Sequence, residues 1–182
     1  MKFRVILTIA ALSVACTSWA ADWPQYLGPD RNSTSPEKGL LRAWPETGPE
    51  VLWTTPVNRG YGGPVIKDGK VYLLDRNADV GDNLRCLDLA NGKEVWNFAY
   101  DAPGQVMYPG SRSVPAVEDK YVYSCGHNGD LYCIDINTHK PVWNKNIWTD
   151  FGGQPPTYEE RGFGPGGLGK FPIWAISQNP LM

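Results

Sequence analysis

Between residues 64 and 147, short apolar runs rich in Val, Leu, Tyr and Trp alternate with turns rich in Gly, Asn and Asp. After residue 20, apolar positions do not recur with the spacing of three and four residues that is typical of an amphipathic helix. Asp68-Gly69 and Asn128-Gly129 are hairpin turn signals. The pattern therefore predicts two groups of four strands. The predicted strands are 64–67, 70–74, 84–87 and 94–99, then 115–118, 121–125, 131–134 and 141–144.

The two groups belong to an internal repeat. Residues 84–96 and 131–143 match at a constant offset of 47, with Leu, Cys, Asp, Lys, Val and Trp in register. A period of this length is typical of propellers, solenoids and arrays. Four strands in each repeat form a propeller blade. We therefore predict an all-β fold, a partial β-propeller whose two blades span 64–99 and 115–147.

The segments around the blades extend this interpretation. In residues 51–57, Leu52-Trp53 matches the end of a fourth strand, which predicts a closing strand that pairs with a last blade. Residues 178–182 resemble 62–66 and predict the start of another blade. Because propellers have about four to eight blades, we expect this sequence to be the N-terminal part of a longer propeller.

Two further segments lack strand alternation. Residues 21–50 are predicted to wrap the surface, and the Gly-rich and Pro-rich residues 148–177 to form an excursion at one end of the propeller. The partial propeller as a whole is assigned to residues 51–182.

Several repeated residues have a mechanical interpretation. An Asp that starts a turn can accept backbone N–H groups two residues on, a Trp in each repeat can fill the gap to the next blade, and a Cys can pack inward as a small apolar residue. His139 stands where the first repeat has a turn glycine, so we expect a left-handed backbone there. The residues with predicted structural roles are Trp53, Trp96, Trp143, Asp88, Asp135, Cys86 and Cys133.

Residues 1–20 have the features of an export signal. Lys2 and Arg4 precede an apolar stretch that is too short to span a bilayer, and small residues before Ala21 fit a cleavage site. Lipidation at Cys16 is the alternative, although the leucine before it lies one place too far away. We therefore expect an exported protein, periplasmic or extracellular, that meets the membrane only if Cys16 is lipidated.

The charge and the cysteine content argue against a nucleic-acid-binding protein and against a fold held by disulfides. The formal net charge is −2, and removal of a signal with two basic and no acidic residues makes it more negative, which argues against a nucleic-acid partner. Cys86, Cys125 and Cys133 remain, and an odd count argues against a disulfide framework. A Cys125–Cys133 bridge across one hairpin stays open as an alternative.

The repeat resembles the PQQ-like (pyrroloquinoline-quinone-like) propeller repeats. The resemblance rests on Val122-Tyr123, Leu131–Asp135, Thr138, Lys140 and Trp143. The opening, Asp22 to Asn32, is similar to exported bacterial proteins of this group. The resemblance implies an eight-bladed propeller. It also implies one of two functions: some members are quinone-dependent dehydrogenases, and others are cofactor-free scaffolds such as the propeller lipoprotein of the barrel-assembly machinery.

One stretch has the composition of a cation-binding loop. Residues 75–83 alternate carboxylates and amides but lack the glycine and the final glutamate of an EF-hand. A solvated acidic hairpin tip is the simpler interpretation. The weak metal candidates are Asp75, Asn77, Asp79 and Asp82.

The sequence favours a non-catalytic scaffold or binding protein of the bacterial cell envelope. The resemblance adds outer-membrane protein assembly as its role, with protein partners and no cofactor. We expect the loop 75–83 and the excursion 148–176 to make the contacts. The alternative is a PQQ-dependent dehydrogenase, for which the resemblance implies PQQ with calcium. Such enzymes often carry two adjacent cysteines, which this sequence lacks, and no residue is assigned a catalytic role.

Overall fold

The computed structural model describes residues 21–104, 108–152 and 175–181. The predicted signal peptide with Cys16 and most of the excursion 148–177 lie outside these residues. Within them, the strands form two four-stranded antiparallel sheets, ordered β1-β2-β3-β4 and β5-β6-β7-β8. The prediction of an all-β partial propeller is confirmed. No helix in the described part of the chain is long and apolar enough to cross a membrane.

The first blade consists of β1 (Val65–Lys67), β2 (Lys70–Asn77), β3 (Gly81–Asp88) and β4 (Glu94–Ala99). The second consists of β5 (Ala116–Glu118), β6 (Tyr121–Cys125), β7 (Asp130–Asp135) and β8 (Lys140–Asn146). A single 3-10 turn, Thr149–Phe151, follows β8 among the described residues.

The turn between β1 and β2 shows how sequence sets register. Asp68 and Gly69 have φ values of 48° and 70°, the positive pair that a two-residue hairpin turn requires. Lys67 therefore lies opposite Lys70. This places Val65 and Tyr72 in the core, where each is buried.

One sequence prediction was wrong. Residues 75–83 are not a solvated loop along their whole length, because β2 continues to Asn77 and β3 already begins at Gly81, and the exposed residues among them lie at the tip of the hairpin. Asp75 is only 1% exposed and Asp82 is fully buried. Charged residues are normally exposed to solvent. Each of these two carboxylates, however, forms an ion pair with an arginine, so the strands can continue through buried positions.

The main core lies between the two sheets. It is a cluster of buried side chains from both blades. Trp96, at 8% exposure, is central to the contact between the sheets because its ring stacks on the imidazole of His139, with 5.1 Å between centroids. The buried members are Val65, Tyr72, Leu74, Leu84, Cys86, Trp96, Val117, Val122 and Ile134.

Trp53 makes the equivalent contact one repeat earlier. Its indole N–H donates to the carbonyl of Leu89 at 2.8 Å, and its ring lies directly against Gly92. Gly92 and His139 occupy the same repeat position, so Trp53 and Trp96 each pack on the last turn of a following blade. Trp143 is 40% exposed and has no such turn beside it among the described residues.

The repeated aspartates close the turns before the fourth strands. Asp88 accepts the N–H of Ala90 at 3.0 Å. Asp135 accepts the N–H groups of Asn137 at 2.9 Å and of Thr138 at 3.0 Å. His139 follows with φ 59°, so the predicted left-handed backbone is confirmed.

The flanking segments touch both blades without forming strands. Trp23 pairs with Ile66, and the carbonyl of Pro24 accepts the N–H of Val117. Residues 51–57 form no strand pair among the described residues. Asn179 accepts the N–H of Val114 at 2.6 Å. The closing strand at 51–57, the new blade at 178–182 and the domain boundaries therefore stay predictions.

Truncation of Trp96 tests the packing between blades. We expect Trp96→Ala to lower the free energy of unfolding by about 3–5 kcal/mol, because it removes a large buried side chain that both sheets contact. Trp143→Ala, at the equivalent but more exposed position, is the matched control. Urea unfolding followed by circular dichroism measures both variants, and equal losses would contradict the asymmetry.

The turn at Asp135 predicts a pH dependence. The N–H groups of Thr138 and Asn137 lower the pKa of this carboxyl below its usual value. The carboxylate therefore stabilises the fold above its unfolded pKa of about 4 and loses that effect as pH falls through the lower folded pKa. Asp135→Asn should melt below wild type at pH 7, and the difference should shrink as the pH falls below about 4. Asp101→Asn is the control, and thermal melts that stay parallel at every pH would refute the role of this carboxylate.

Candidate functional site

Three connections meet at one end of the two blades, around a buried ion pair. Arg76 and Asp82 lie opposite each other on β2 and β3. Their Nη1 and Oδ2 atoms are 2.9 Å apart, and both side chains are buried. The β2–β3 hairpin is longer than its counterpart in the second blade and carries this pair at its end.

Asp82 also binds the second half of the chain. Its Oδ1 accepts the hydroxyl of Ser111, from the β4–β5 connection, and its Oδ2 accepts the backbone N–H of His127 at 3.3 Å, from the β6–β7 turn. One carboxylate therefore holds three segments together, and two of them lead into the second blade.

Arg76 completes the junction from the other side of the pair. Its Nη2 donates to the carbonyls of Ala102 and, at 3.0 Å, Gly104. A planar guanidinium with several donors suits such a set of fixed acceptors. The long β4–β5 connection is thus tied to the first blade before it enters β5.

Burial dominates the electrostatics of this junction. Loss of water raises the pKa of Asp82, while the Arg76 guanidinium and the hydrogen bonds from Ser111 and His127 act against that rise. Burial also raises the pKa of the Tyr100 hydroxyl well above its ordinary value. A side chain at Gly126 would overlap that hydroxyl, so only glycine fits this turn.

The metal candidates are not brought together. Asp75 binds Arg85 Nε at 2.6 Å and the backbone N–H of Asn58 at 2.8 Å. Asp82 binds a different arginine, as described above. Asn77 and Asp79 lie at the exposed turn, where the Asn77 side chain accepts the N–H of Asp79 at 2.9 Å.

A calcium ion does not fit this arrangement. It would need several oxygens directed at one point, whereas the two buried carboxylates are held by separate guanidinium groups. In residues 21–104, 108–152 and 175–181, no group of three or more His, Cys, Asp or Glu could hold a metal.

The cysteines pack as apolar residues. Cys86, Cys125 and Cys133 are buried free thiols. The Cys125–Cys133 bridge left open by the sequence does not form, because Cys133 lies opposite Tyr123 and Cys125 opposite Leu131. Burial raises the pKa of Cys86 to about 11 and that of Cys125 to about 12, so neither is a thiolate at neutral pH.

A cavity opens beside the ion pair. Its volume is about 370 Å³, and it lies between the segment that enters β1, the end of the β2–β3 hairpin and the segment that enters β5. Its lining includes Val57, Asn58, Arg59, Arg76, Pro109 and Gly110. Arg59, Arg76, Ser111 and His127 are not among the site residues that the sequence pattern indicated. The available signal was the placement of Arg76 and Asp82 on either side of a short turn, where they can face each other across a hairpin.

These features define a β-propeller protein built from PQQ-like blades, in which tryptophans and a buried ion pair join neighbouring blades. The chain belongs to the family described as outer membrane protein assembly factor BamB, whose family model matches residues 33–154. The resemblance noted in the sequence is thereby confirmed.

Solved structures give partial likenesses to both branches of the group. BamB from Moraxella catarrhalis is 25% identical over 46% of this chain and 23% of its own, with a TM-score of 0.34. Quinohemoprotein alcohol dehydrogenase from Comamonas testosteroni is 24% identical over 47% of this chain and 13% of its own, with a TM-score of 0.37. A europium-containing methanol dehydrogenase is 19% identical over 65% of this chain and 24% of its own, with a TM-score of 0.38.

This chain therefore spans less than a quarter of the length of each of these three solved proteins. No curated protein sequence matches it.

The buried ion pair predicts a large and local effect of mutation. Asp82→Ala leaves the Arg76 guanidinium without its carboxylate in a desolvated site, so we expect a loss of about 3–5 kcal/mol in the free energy of unfolding. Asp79→Ala, at the exposed turn of the same hairpin, should change stability by less than about 0.5 kcal/mol. Equilibrium denaturation measures both, and a small effect of Asp82→Ala would show that the pair is not a structural joint.

The burial of the three thiols predicts that they react slowly with thiol reagents. At pH 8, Cys86, Cys125 and Cys133 should react with Ellman's reagent at least about a hundredfold more slowly than a free cysteine, because burial keeps them protonated and inaccessible. All three should react at once in denaturant. Rapid labelling of any of them in the folded protein, identified by mass spectrometry, would contradict this result.

Proposed function

We propose that this protein is a non-catalytic binding scaffold of the bacterial cell envelope that acts in outer-membrane protein assembly. The observation that carries the proposal is family membership, since the matching family model covers residues 33–154, which include both blades and the connection between them. The protein would be exported by residues 1–20 to the periplasm and would need no cofactor. Lipidation at Cys16 would add a membrane anchor.

The mechanism would be recognition by loops that a rigid framework holds in place. The β4–β5 connection is bonded to the first blade through Arg76 and to Asp82 through Ser111. Residues fixed in this way lose less conformational entropy when a partner binds than free loop residues do. Loops positioned by a sheet scaffold are common binding elements for this reason.

Both buried carboxylates of the predicted cation loop have structural uses that suit a scaffold. Asp75 and Asp82 are neutralised by Arg85 and Arg76, and their hydrogen bonds join segments of the chain. A quinone-dependent dehydrogenase would need calcium and a quinone held by other residues. The rival function is therefore tested directly, with the full-length product of the gene.

Two measurements separate the functions. Deletion of the gene in its own host should lower the amounts of outer-membrane β-barrel proteins, measured by quantitative mass spectrometry of outer membranes, and the wild-type gene should restore them. A Cys16→Ser variant tests whether an anchor contributes.

The second measurement is calorimetry of the purified protein with PQQ and calcium, for which we expect no binding heat. Micromolar PQQ binding, or unchanged barrel proteins after deletion, would overturn the proposed function.

A further inference from the structure

The cavity beside Arg76 has features of a recognition site that neither the repeat nor the family accounts for. Two segments frame it. The chain runs from Arg59 to Gly62 just before β1, and from Tyr108 to Arg112 before β5. They lie side by side, with the N–H of Tyr61 bonded to the carbonyl of Ser111 at 2.6 Å. The N–H of Arg76 also bonds to the carbonyl of Arg59 at 2.9 Å, so the cavity walls are fixed by backbone hydrogen bonds.

The rim of the cavity is held in a strained conformation. Tyr108 has φ 56°, which is costly for a bulky residue. Arg112 stabilises this conformation, because its guanidinium donates to the carbonyls of Tyr108 at 2.7 Å and Gly110 at 2.9 Å. The same guanidinium lies 5.3 Å from the ring centroid of Tyr61. Strain held in this way is frequent at binding sites.

Two aromatic rings are presented to solvent by this framework. Tyr61 is 61% exposed and Tyr108 is 59% exposed. Tyrosine and arginine are among the residues most enriched in the energetic centres of protein interfaces. The Tyr61 ring lies against Gly110, and Tyr108 directly precedes Pro109, so both tyrosines adjoin residues that line the cavity.

The charge of the cavity indicates the chemistry of its ligand. Arg59 and Arg76 are among its lining residues, and no carboxyl-bearing residue is among those described there. Asp82 is buried and neutralises Arg76, and Asp75 is neutralised by Arg85. Arg59 is exposed and forms no salt bridge within the part of the chain that the structure describes. Among the residues that line the cavity, Arg59 thus offers a positive charge, in a chain that is negative overall.

We infer that this cavity binds an aspartate or glutamate side chain from an exposed segment of a protein partner. The Arg59 guanidinium receives the carboxylate, for which its planar pair of donors is suited. Tyr61 and Tyr108 pack against the residues that flank it. A volume of about 370 Å³ holds one or two side chains rather than a folded element. This inference rests on the proposed binding function and assigns it a surface.

Photocrosslinking in the native host tests the inference and identifies the partner in the same experiment. p-Benzoylphenylalanine replaces Tyr108 in the full-length protein, and Tyr26, an exposed tyrosine in the segment beside β1, carries it as the control. We expect a protein adduct at position 108. Mass spectrometry should place the adduct within a few residues of an Asp or Glu of the partner.

Substitutions at Arg59 distinguish recognition from mere proximity. Arg59→Gln should lower the yield of the adduct at position 108 by about tenfold, whereas Arg59→Lys should retain most of it. Arg42→Gln, at an exposed arginine outside the cavity, should have no effect. All variants should have the melting temperature of the wild type. We expect this because Arg59 is exposed, so its replacement removes little packing. Substitution of the partner's acidic residue by lysine should abolish the adduct. Combining that substitution with Arg59→Glu should restore it.

Each other outcome overturns the inference. These are an absent adduct at position 108, a lipid or nucleic-acid adduct, equal yields for Arg59→Gln and Arg42→Gln, or an adduct far from any carboxylate. Adducts at Tyr26 together with normal dependence of barrel proteins on the gene would reject this cavity while the proposed function stands. Unchanged barrel proteins after deletion would reject the proposed function instead.

Discussion

The arrangement of this molecule depends on one desolvated ion pair. Arg76 and Asp82 face each other across a hairpin, and they also bond to Gly104 and Ser111 of the β4–β5 connection and to His127 of the second blade. A buried ion pair contributes little net stability compared with apolar residues of the same size. Removal of one partner is nevertheless strongly destabilising, because the other charge is left buried without compensation. The effect of the pair is therefore to favour the geometry in which Arg76 and Asp82 bond both to each other and to the segments that lead into and form the second blade.

Apolar packing supplies the driving force that the ion pair does not. Trp96 fills the gap between sheets and stacks on His139, while Trp53 makes the matching contact with the preceding face of the first blade. The two kinds of contact act at different places, since the tryptophans pack on the turns before the fourth strands and the ion pair lies at the ends of the second and third. Together they join one blade to the next at two separated points.

Sequence predicted the parts of this structure that repeat. The two four-stranded groups, the positive φ at His139 and the absence of helices from the described residues follow from local patterns that act over a few residues. The extent of β2 and β3 did not follow, because Asp75, Arg76 and Asp82 are charged and only their pairing across the hairpin makes burial possible. The cavity beside Arg59 was equally invisible, since its walls come from three segments that approach each other only after both blades have formed. Residues 75–83 were predicted to be an exposed contact loop, but Asp75, Arg76 and Asp82 are buried, and the exposed tyrosines lie elsewhere.

The glycine at position 92 and the histidine at position 139 occupy the same place in successive repeats, yet they meet their tryptophans in opposite ways. Trp53 lies so close to Gly92 that any side chain would collide with its ring. Trp96 instead stacks on the imidazole of His139, with 5.1 Å between the ring centroids. The two blades therefore have the same strand order but different contact surfaces for the preceding tryptophan. If the first and second blades exchanged places along the chain, a histidine would face Trp53, whose ring leaves no space for a side chain there. The sizes of residues 92 and 139 therefore favour one order of the two blades.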